Sequence, residues 1–232
     1  MLADADLDTI AQLISGHRAS LLLALMGDRT LTAGELADRA GISAPLASAH
    51  LARLLDGGLI SVEQQGRHRH YRLSDPHVAE VIEAILTLAP HRRASSLREV
   101  NRGRAIREAR TCYDHLAGAL GVAVTDALTH QRILQPAEGS YELTRAGESR
   151  LSELGLDLEA VRGRRRAFAR PCLDWTERRP HLAGALGAGL ADRLFELGWV
   201  ERRPHTRALR VTSTGREQLR DQLGVNLAVS ES

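Results

Sequence analysis

Both cysteines of this 232-residue chain occupy the same motif. Arg110-Thr111-Cys112-Tyr113-Asp114 matches Arg170-Pro171-Cys172-Leu173-Asp174, and a histidine follows each: His115 directly, His181 after six further residues. Thiolates and imidazoles are ligands for soft and borderline metal ions. An arginine beside a cysteine favours the thiolate, which is its reactive and metal-binding form. Read as a helix, Cys112 and His115 at i, i+3 present sulfur and imidazole on one face. Three chemistries are open to Cys112, Asp114, His115, Cys172, Asp174 and His181. The thiols bind a soft metal or metalloid ion with His115 or His181, or they form a reversible disulfide or persulfide, or they line a pocket for an organic ligand. A structural role competes with all three. Free cysteine is among the most buried residue types, the histidines can cap helices, and the aspartates can pair with local arginines.

The motif belongs to a longer internal repeat. His115-Leu116-Ala117-Gly118-Ala119-Leu120-Gly121 recurs as residues 181–187, and Asp126-Ala127-Leu128 is matched at the same distance by Asp192-Arg193-Leu194. A hairpin and a helix are expected after each: Ile133-Leu134, Tyr141 to Thr144, Gly147 and Leu151, then Trp199-Val200, Leu209 to Thr212, Gly215 and Leu219. Residues 112–225 are therefore expected to be a duplicated module for sensing or dimerisation. Its repeats, about 112–157 and 172–225, are helix-hairpin-helix units, winged-helix-like but without a convincing recognition helix.

The elements that would answer to such a module lie upstream. Thr32-Ala33-Gly34-Glu35 is a capping box, Leu36 and Ala40 recur at i, i+4, and Gly41 ends that helix. Ser43 is an N-cap for a second helix, with Pro45 tolerated in its first turn and Asp56-Gly57-Gly58 at its end. Ala47, Leu51 and Leu54 share one face of it and read as core. Leu59 to Val62 and Arg67 to Leu73 alternate as two strands around Gly66, with Arg67, Arg69 and Arg72 on the return. Two short helices and a cationic hairpin are the parts of a winged helix that enters a major groove and neutralises phosphate. Asp75-Pro76 starts a further helix with an apolar stripe of Val78, Val81, Ile82, Ile85 and Leu88, broken at Pro90. Residues 91–110, rich in Arg and Glu, read as a polar linking helix.

The stretch from His17 to Asp75 resembles the winged-helix domain of ArsR/SmtB-type bacterial repressors. The residues that carry the resemblance are Gly34-Glu35-Leu36-Ala37, Gly41-Ile42-Ser43, Ser48 to Leu54, Gly57-Gly58-Leu59-Ile60, and Gly66-Arg67 with Tyr71 to Pro76. The resemblance implies a homodimer on double-stranded operator DNA, paired through the helix after the wing. The implied DNA-facing residues are Ser43, Ala44, Pro45, Leu46, Ser48, Ala49, His50 and Arg53 on the recognition helix, and Arg67, His68 and Arg69 on the wing. Ala44, Pro45 and Leu46 depart from the polar residues usual there; they can touch a thymine methyl but cannot hydrogen-bond a purine edge. Two family metal sites are missing. Thr30 to Leu36 holds no Cys-x-Cys, and Asp75-x-His77 lacks its second half, since Leu88 lies eleven residues after His77 and His91 fourteen.

Composition agrees with a cytoplasmic regulator. The net charge is only +2, with an acidic start at Asp4, Asp6 and Asp8 and basic clusters at 67–72 and 162–170. No apolar run is long enough to span a membrane, no signal peptide is recognisable, and two cysteines make no disulfide scaffold. Phosphate loops, nucleophile elbows and His-Glu-x-x-His are absent, so an enzyme is not expected; the one enzymatic alternative is a zinc hydrolase built on the cysteines. An architectural DNA-binding protein indifferent to any effector is a further alternative. The expected class is α+β, mainly α with short β-hairpins. Its parts are a winged-helix and dimerisation domain over 1–90, a linker over 91–111 and the duplicated module over 112–225.

Overall fold

A computed structural model describes residues 7–27, 29–89 and 96–227, without the side chains of Leu7 and Arg98. Asp4, Asp6, Pro90 and His91 lie outside the described residues. The chain divides into two compact units, 1–82 and 83–232.

The first unit opens with α1 (Leu7–Leu13) and α2 (Gly16–Leu25), followed by β1 (Leu31–Thr32), α3 (Ala33–Ala40) and α4 (Ala44–Asp56). A hairpin of β2 (Ile60–Gln65) and β3 (His68–Leu73) comes next, and β1 joins its β3 edge to make an antiparallel sheet in the order β1-β3-β2. The capping box at the start of α3 is complete: Glu35 N–H donates to Thr32 Oγ1, and Thr32 N–H donates to Glu35 Oε2 at 2.8 Å. The Thr32 backbone N–H first, and then the Thr32 hydroxyl donating to the same Oε2 at 2.8 Å, pull the Glu35 carboxyl below its ordinary value. Thr32→Ala is expected to cost about 1 kcal/mol of stability in urea denaturation; an unchanged midpoint would show that the cap contributes nothing. Gly41 stops α3 in the left-handed region, at φ 65°. Leu36, Ala47, Leu51 and Leu54 pack on Leu21, Leu22 and Leu25 of α2 and on Ile60, Tyr71 and Leu73 of the sheet, all of them buried. The apolar face of α4 is thereby fixed inward, and its other face is left to solvent. Asp75 Oδ1 accepts the His77 N–H at the start of α5 (Pro76–Leu88), the helix on which the division between units falls.

The second unit contains α6 (Leu97–Glu108) and then one order of elements twice. First come β4 (Arg110–Thr111), β5 (Leu116–Ala117), α7 (Gly118–His130), β6 (Leu134–Ala137), β7 (Ser140–Leu143) and α8 (Arg145–Glu153). After α9 (Leu158–Arg162) come β8 (Arg170–Leu173), β9 (Pro180–Ala183), α10 (Gly184–Glu196), β10 (Val200–Arg202), β11 (Leu209–Val211) and α11 (Ser213–Leu223). Each strand pair is an antiparallel hairpin. Two expectations need correction. A hairpin precedes the first helix of each set, so the elements run hairpin-helix-hairpin-helix. The stretch expected to be linker up to residue 111 ends instead in β4, where Arg110 and Thr111 are buried. One apolar core, including Leu120, Leu128, Leu151, Leu186, Leu194 and Trp199, serves both sets.

Candidate functional site

The residues singled out above fall into two sets. On the first unit, Ser43 precedes α4, but its side chain makes no capping bond, which leaves the hydroxyl open to another partner. Ser43, Ala44, Pro45, Leu46, Ser48, Ala49 and Arg53 are exposed, and they share the solvent side of the helix whose opposite side holds Ala47, Leu51 and Leu54. His50 behaves differently from its neighbours. It is half-buried, its ring lies 5.7 Å from that of His17, and burial holds it below the ordinary histidine value. On the hairpin, Gly66 takes φ 60° at the tip, and Arg67, His68 and Arg69 are exposed, with Arg69 over the Tyr71 ring. Arg72 is tied to Glu63 at 2.8 Å and donates to Ser61 Oγ, so its charge is partly spent within the sheet.

The second set is a mostly buried cluster built from the paired motifs, all within the second unit. Cys112 and His115 do not lie on a helix, contrary to the i, i+3 expectation. They sit in the bend joining β4 to β5, closed by Cys112 N–H donating to His115 O at 3.0 Å. Cys172 and His181 are cross-strand partners in the β8–β9 hairpin. The six extra residues of the second copy form the longer connection that lets this hairpin pair in register. A hairpin brings each thiol to its histidine in both copies, by different local geometry.

Helices α7 and α10 bring the two pairs together. A Cβ at Gly121 would lie 2.5 Å from Leu116 O and 3.5 Å from His181 Cβ; at Gly187 it would lie 2.5 Å from Leu182 O and 3.4 Å from His115 Cβ. Each glycine thus lets its helix close on the backbone of the hairpin before it, and the helix then lies in ordinary contact with the other copy's histidine. Thr125 of α7 adds a tie, its Oγ1 accepting the Leu182 N–H of β9 at 2.8 Å. The outcome is a cluster in which Cys112 Sγ and Cys172 Sγ are 4.0 Å apart and the two histidine Nε2 atoms 3.2 Å apart. Cys112, His115 and His181 are buried and Cys172 half-buried, and both cysteines are free thiols. Their hydrogen bond makes them unequal. It pushes Cys112 up, with burial adding to the effect. It pulls Cys172 down against its burial, with help from both imidazoles.

Asp114 and Asp174 stand behind the histidines. His115 Nδ1 is 3.1 Å from Asp114 Oδ1, and His181 Nδ1 is 3.4 Å from Asp174 Oδ2, a close approach rather than a well-directed hydrogen bond. Burial opposes ionisation of Asp114, but His115 and Arg166, whose Nη1 is 2.5 Å from Oδ2, hold its carboxyl down at about 2. His115 is in turn raised, burial being outweighed by Asp114 and Cys172. Asp174, fully buried, accepts from Arg110 Nη2 at 2.9 Å, from Gly118 N–H at 2.6 Å and from Thr176 Oγ1 at 2.6 Å. Arg110, also fully buried, lies over the Trp175 ring and 3.8 Å from Glu83, which Arg207 also contacts. The motif's arginine therefore serves the aspartate of the other copy, a pairing that spacing along the chain does not disclose. Glu83, Arg166 and Arg207 were not singled out from the sequence, since nothing local distinguishes them from solvated charges.

No described helix is long and apolar enough to cross a membrane. A helix-turn-helix domain model matches residues 13–63. The probable mercury resistance operon repressor of Streptomyces lividans is 38% identical over 65 residues, 28% of this chain and 50% of that protein. Among solved structures, reduced HlyU from Vibrio cholerae aligns with TM-score 0.33 and 28% identity, covering 36% of this chain and 88% of that one. The HTH-type transcriptional regulator YdfF of Bacillus subtilis (strain 168) is 46% identical over 219 residues, which is 94% of this chain and 97% of that protein. With that likeness running through both units, the chain belongs to the family of HTH-type transcriptional regulators.

Proposed function

We propose that the protein is a cytoplasmic, homodimeric repressor that reads an operator with α4 and the β2–β3 wing and is released by a signal received at the Cys112–Cys172 cluster. The observation that carries the DNA-binding part is the solvent face of α4, with Ser43, Ser48 and Arg53, next in the chain to the cationic hairpin tip. Ala44, Pro45 and Leu46 offer apolar contact at the helix start, so hydrogen-bonded readout falls to Ser43, Ser48 and Arg53, with DNA shape supplying the rest. Homodimerisation is supported by α5, where Val81 (45% exposed), Ile85 (39%) and Leu88 (85%) form an apolar face turned to solvent. Two recognition helices then meet an inverted repeat with half-sites about 10 base pairs apart.

The signal part rests on the convergence of two thiols and two imidazoles contributed by both copies of the motif. A metal ion and an oxidant are both inputs that such a set accepts, and the mercury repressor among the relatives favours the same class. Release follows if the effector binds the conformation with low DNA affinity more tightly than the other. Fluorescence anisotropy on DNA upstream of the protein's own gene tests both parts. Reduced, metal-free protein is expected to bind, and metal- or oxidant-treated protein to release. Cys112→Ser and Cys172→Ser should stay bound under both treatments. Failure of the untreated protein to bind would remove the operator reading. Binding indifferent to every treatment would remove the cysteine input and leave an effector-independent DNA-binding protein.

A further inference from the structure

The cluster can be tested for the class of ligand it fits. One donor atom each from Cys112, His115, Cys172 and His181 lies within 4.8 Å of every other. Zinc–sulfur bonds of about 2.3 Å and zinc–nitrogen bonds of about 2.0–2.1 Å give a tetrahedron with S···S edges of about 3.8 Å and N···N edges of about 3.3 Å. The observed 4.0 Å and 3.2 Å are close to both. His115 Nδ1 is engaged by Asp114 at 3.1 Å, and His181 Nδ1 lies 3.4 Å from Asp174 without a hydrogen bond. Ligating histidines present their second nitrogen to a carboxylate in the same way, which fixes the tautomer and the ring orientation. The two Nε2 atoms face each other across 3.2 Å, within reach of one cation held between the rings.

Charge narrows the choice. Two thiolates offset a divalent ion, while Asp114 is paired with Arg166 and Asp174 with Arg110. A filled site is therefore neutral, as burial demands. A monovalent ion would leave an uncompensated negative charge, and a metalloid that takes three thiolates finds only two. Tetrahedral S2N2 sets are characteristic of zinc. Four protein ligands also leave no open position for a reacting water, which separates this site from hydrolytic zinc centres.

We propose that Cys112, His115, Cys172 and His181 form a closed tetrahedral site for one divalent cation of the zinc class, oriented by Asp114 and Asp174. This deepens the reading of the cluster as the signal input and rests on it for its regulatory meaning. Half the ligands come from the β4–β5 bend and half from the β8–β9 hairpin, so the ion ties one copy of the motif to the other. Binding displaces the thiol protons, and any imidazolium proton, to solvent.

The test uses reduced, metal-stripped full-length protein titrated with cobalt(II). Saturation at one ion per chain is expected, with the strong visible bands of tetrahedral cobalt, a thiolate charge-transfer band in the near ultraviolet, and stoichiometric displacement by zinc. Zinc should also shield both thiols from an alkylating reagent. Cys172→Ser should lose charge-transfer intensity and bind at least tenfold more weakly. Asp114→Asn should bind about 10–100-fold more weakly while staying tetrahedral. No binding, or the pale spectrum of octahedral cobalt, would overturn the site. So would a folded Cys172→Ser and a folded His181→Gln that both match wild type. Should those variants unfold, the wild-type spectrum and thiol shielding decide alone. One zinc per chain with unchanged operator affinity would support the site and overturn the cluster's role as input, which keeps the two failures apart.

Discussion

Replacing Arg110 with methionine is expected to destabilise the second unit by about 3–5 kcal/mol, the usual cost of stranding a buried partner charge. Arg110 and Asp174 are both fully buried at 2.9 Å, and Glu83 lies 3.8 Å from the same guanidinium. Methionine fills part of the volume but leaves two carboxylates with less positive charge than before. Asp174 would retain its bonds from Gly118, Thr176 and Glu177 and its approach to His181, none of them from an arginine. At about 2–4 °C per kcal/mol for a unit of this size, the melting temperature should fall by roughly 10 °C. Lysine should recover only part of this, because it lacks the planar fork that meets Asp174 and lies over Trp175. Acid should show the same linkage. Burial would raise Asp174, yet Arg110 and the surrounding donors hold its carboxyl well below the ordinary range. Its contribution is therefore complete above the ordinary carboxylate range and is lost progressively as pH falls from that range to the depressed folded value, and the loss should be smaller in Arg110→Met. Calorimetry at neutral and acidic pH checks both; a wild-type melting temperature for the methionine variant would show that the network contributes little.

The second large effect concerns the wing. In the proposed homodimer, Arg67→Ala with Arg69→Ala removes four charges, and log affinity against log salt should flatten by about 3–4 units. Near ~0.15 M salt this corresponds to weaker operator binding on the order of 10²–10³-fold, spread over all sequences rather than one base position. Arg72→Ala is the internal control. Its guanidinium already meets Glu63 at 2.8 Å, so its change in slope should be smaller. An anisotropy series in salt decides the matter. If the double variant kept the wild-type slope, phosphate neutralisation would have to come from elsewhere on the first unit.

Much of the first unit was legible because its signals are local. A capping box, a glycine in the left-handed region, a period-two hairpin and an apolar face at helical spacing each act over a few residues. Thr32 with Glu35, Gly41, and Ala47 with Leu51 and Leu54 lie where those rules put them. The partial burial of His50 beside His17 was not legible, because it depends on a helix elsewhere in the chain. In the second unit the matched Cys, Asp and His were visible as a pattern, but the helical reading of Cys112 and His115 was wrong. Spacing of three suits a helical face and a tight bend alike, and the backbone bond from Cys112 to His115 decides for the bend.

The sequence by itself determined the winged-helix elements, the outward face of α4, and the recurrence of one cysteine motif. Only the tertiary structure decided that the two motifs share one site. Sixty residues separate the sulfurs that lie 4.0 Å apart, and Gly121 and Gly187 let α7 and α10 close on the Leu116 and Leu182 carbonyls of β5 and β9, the strands beside the motifs. It also decided which charges are buried. Arg110 is one of many arginines in the sequence, and it becomes the partner of Asp174 because packing removes water from both and leaves each as the other's main compensation.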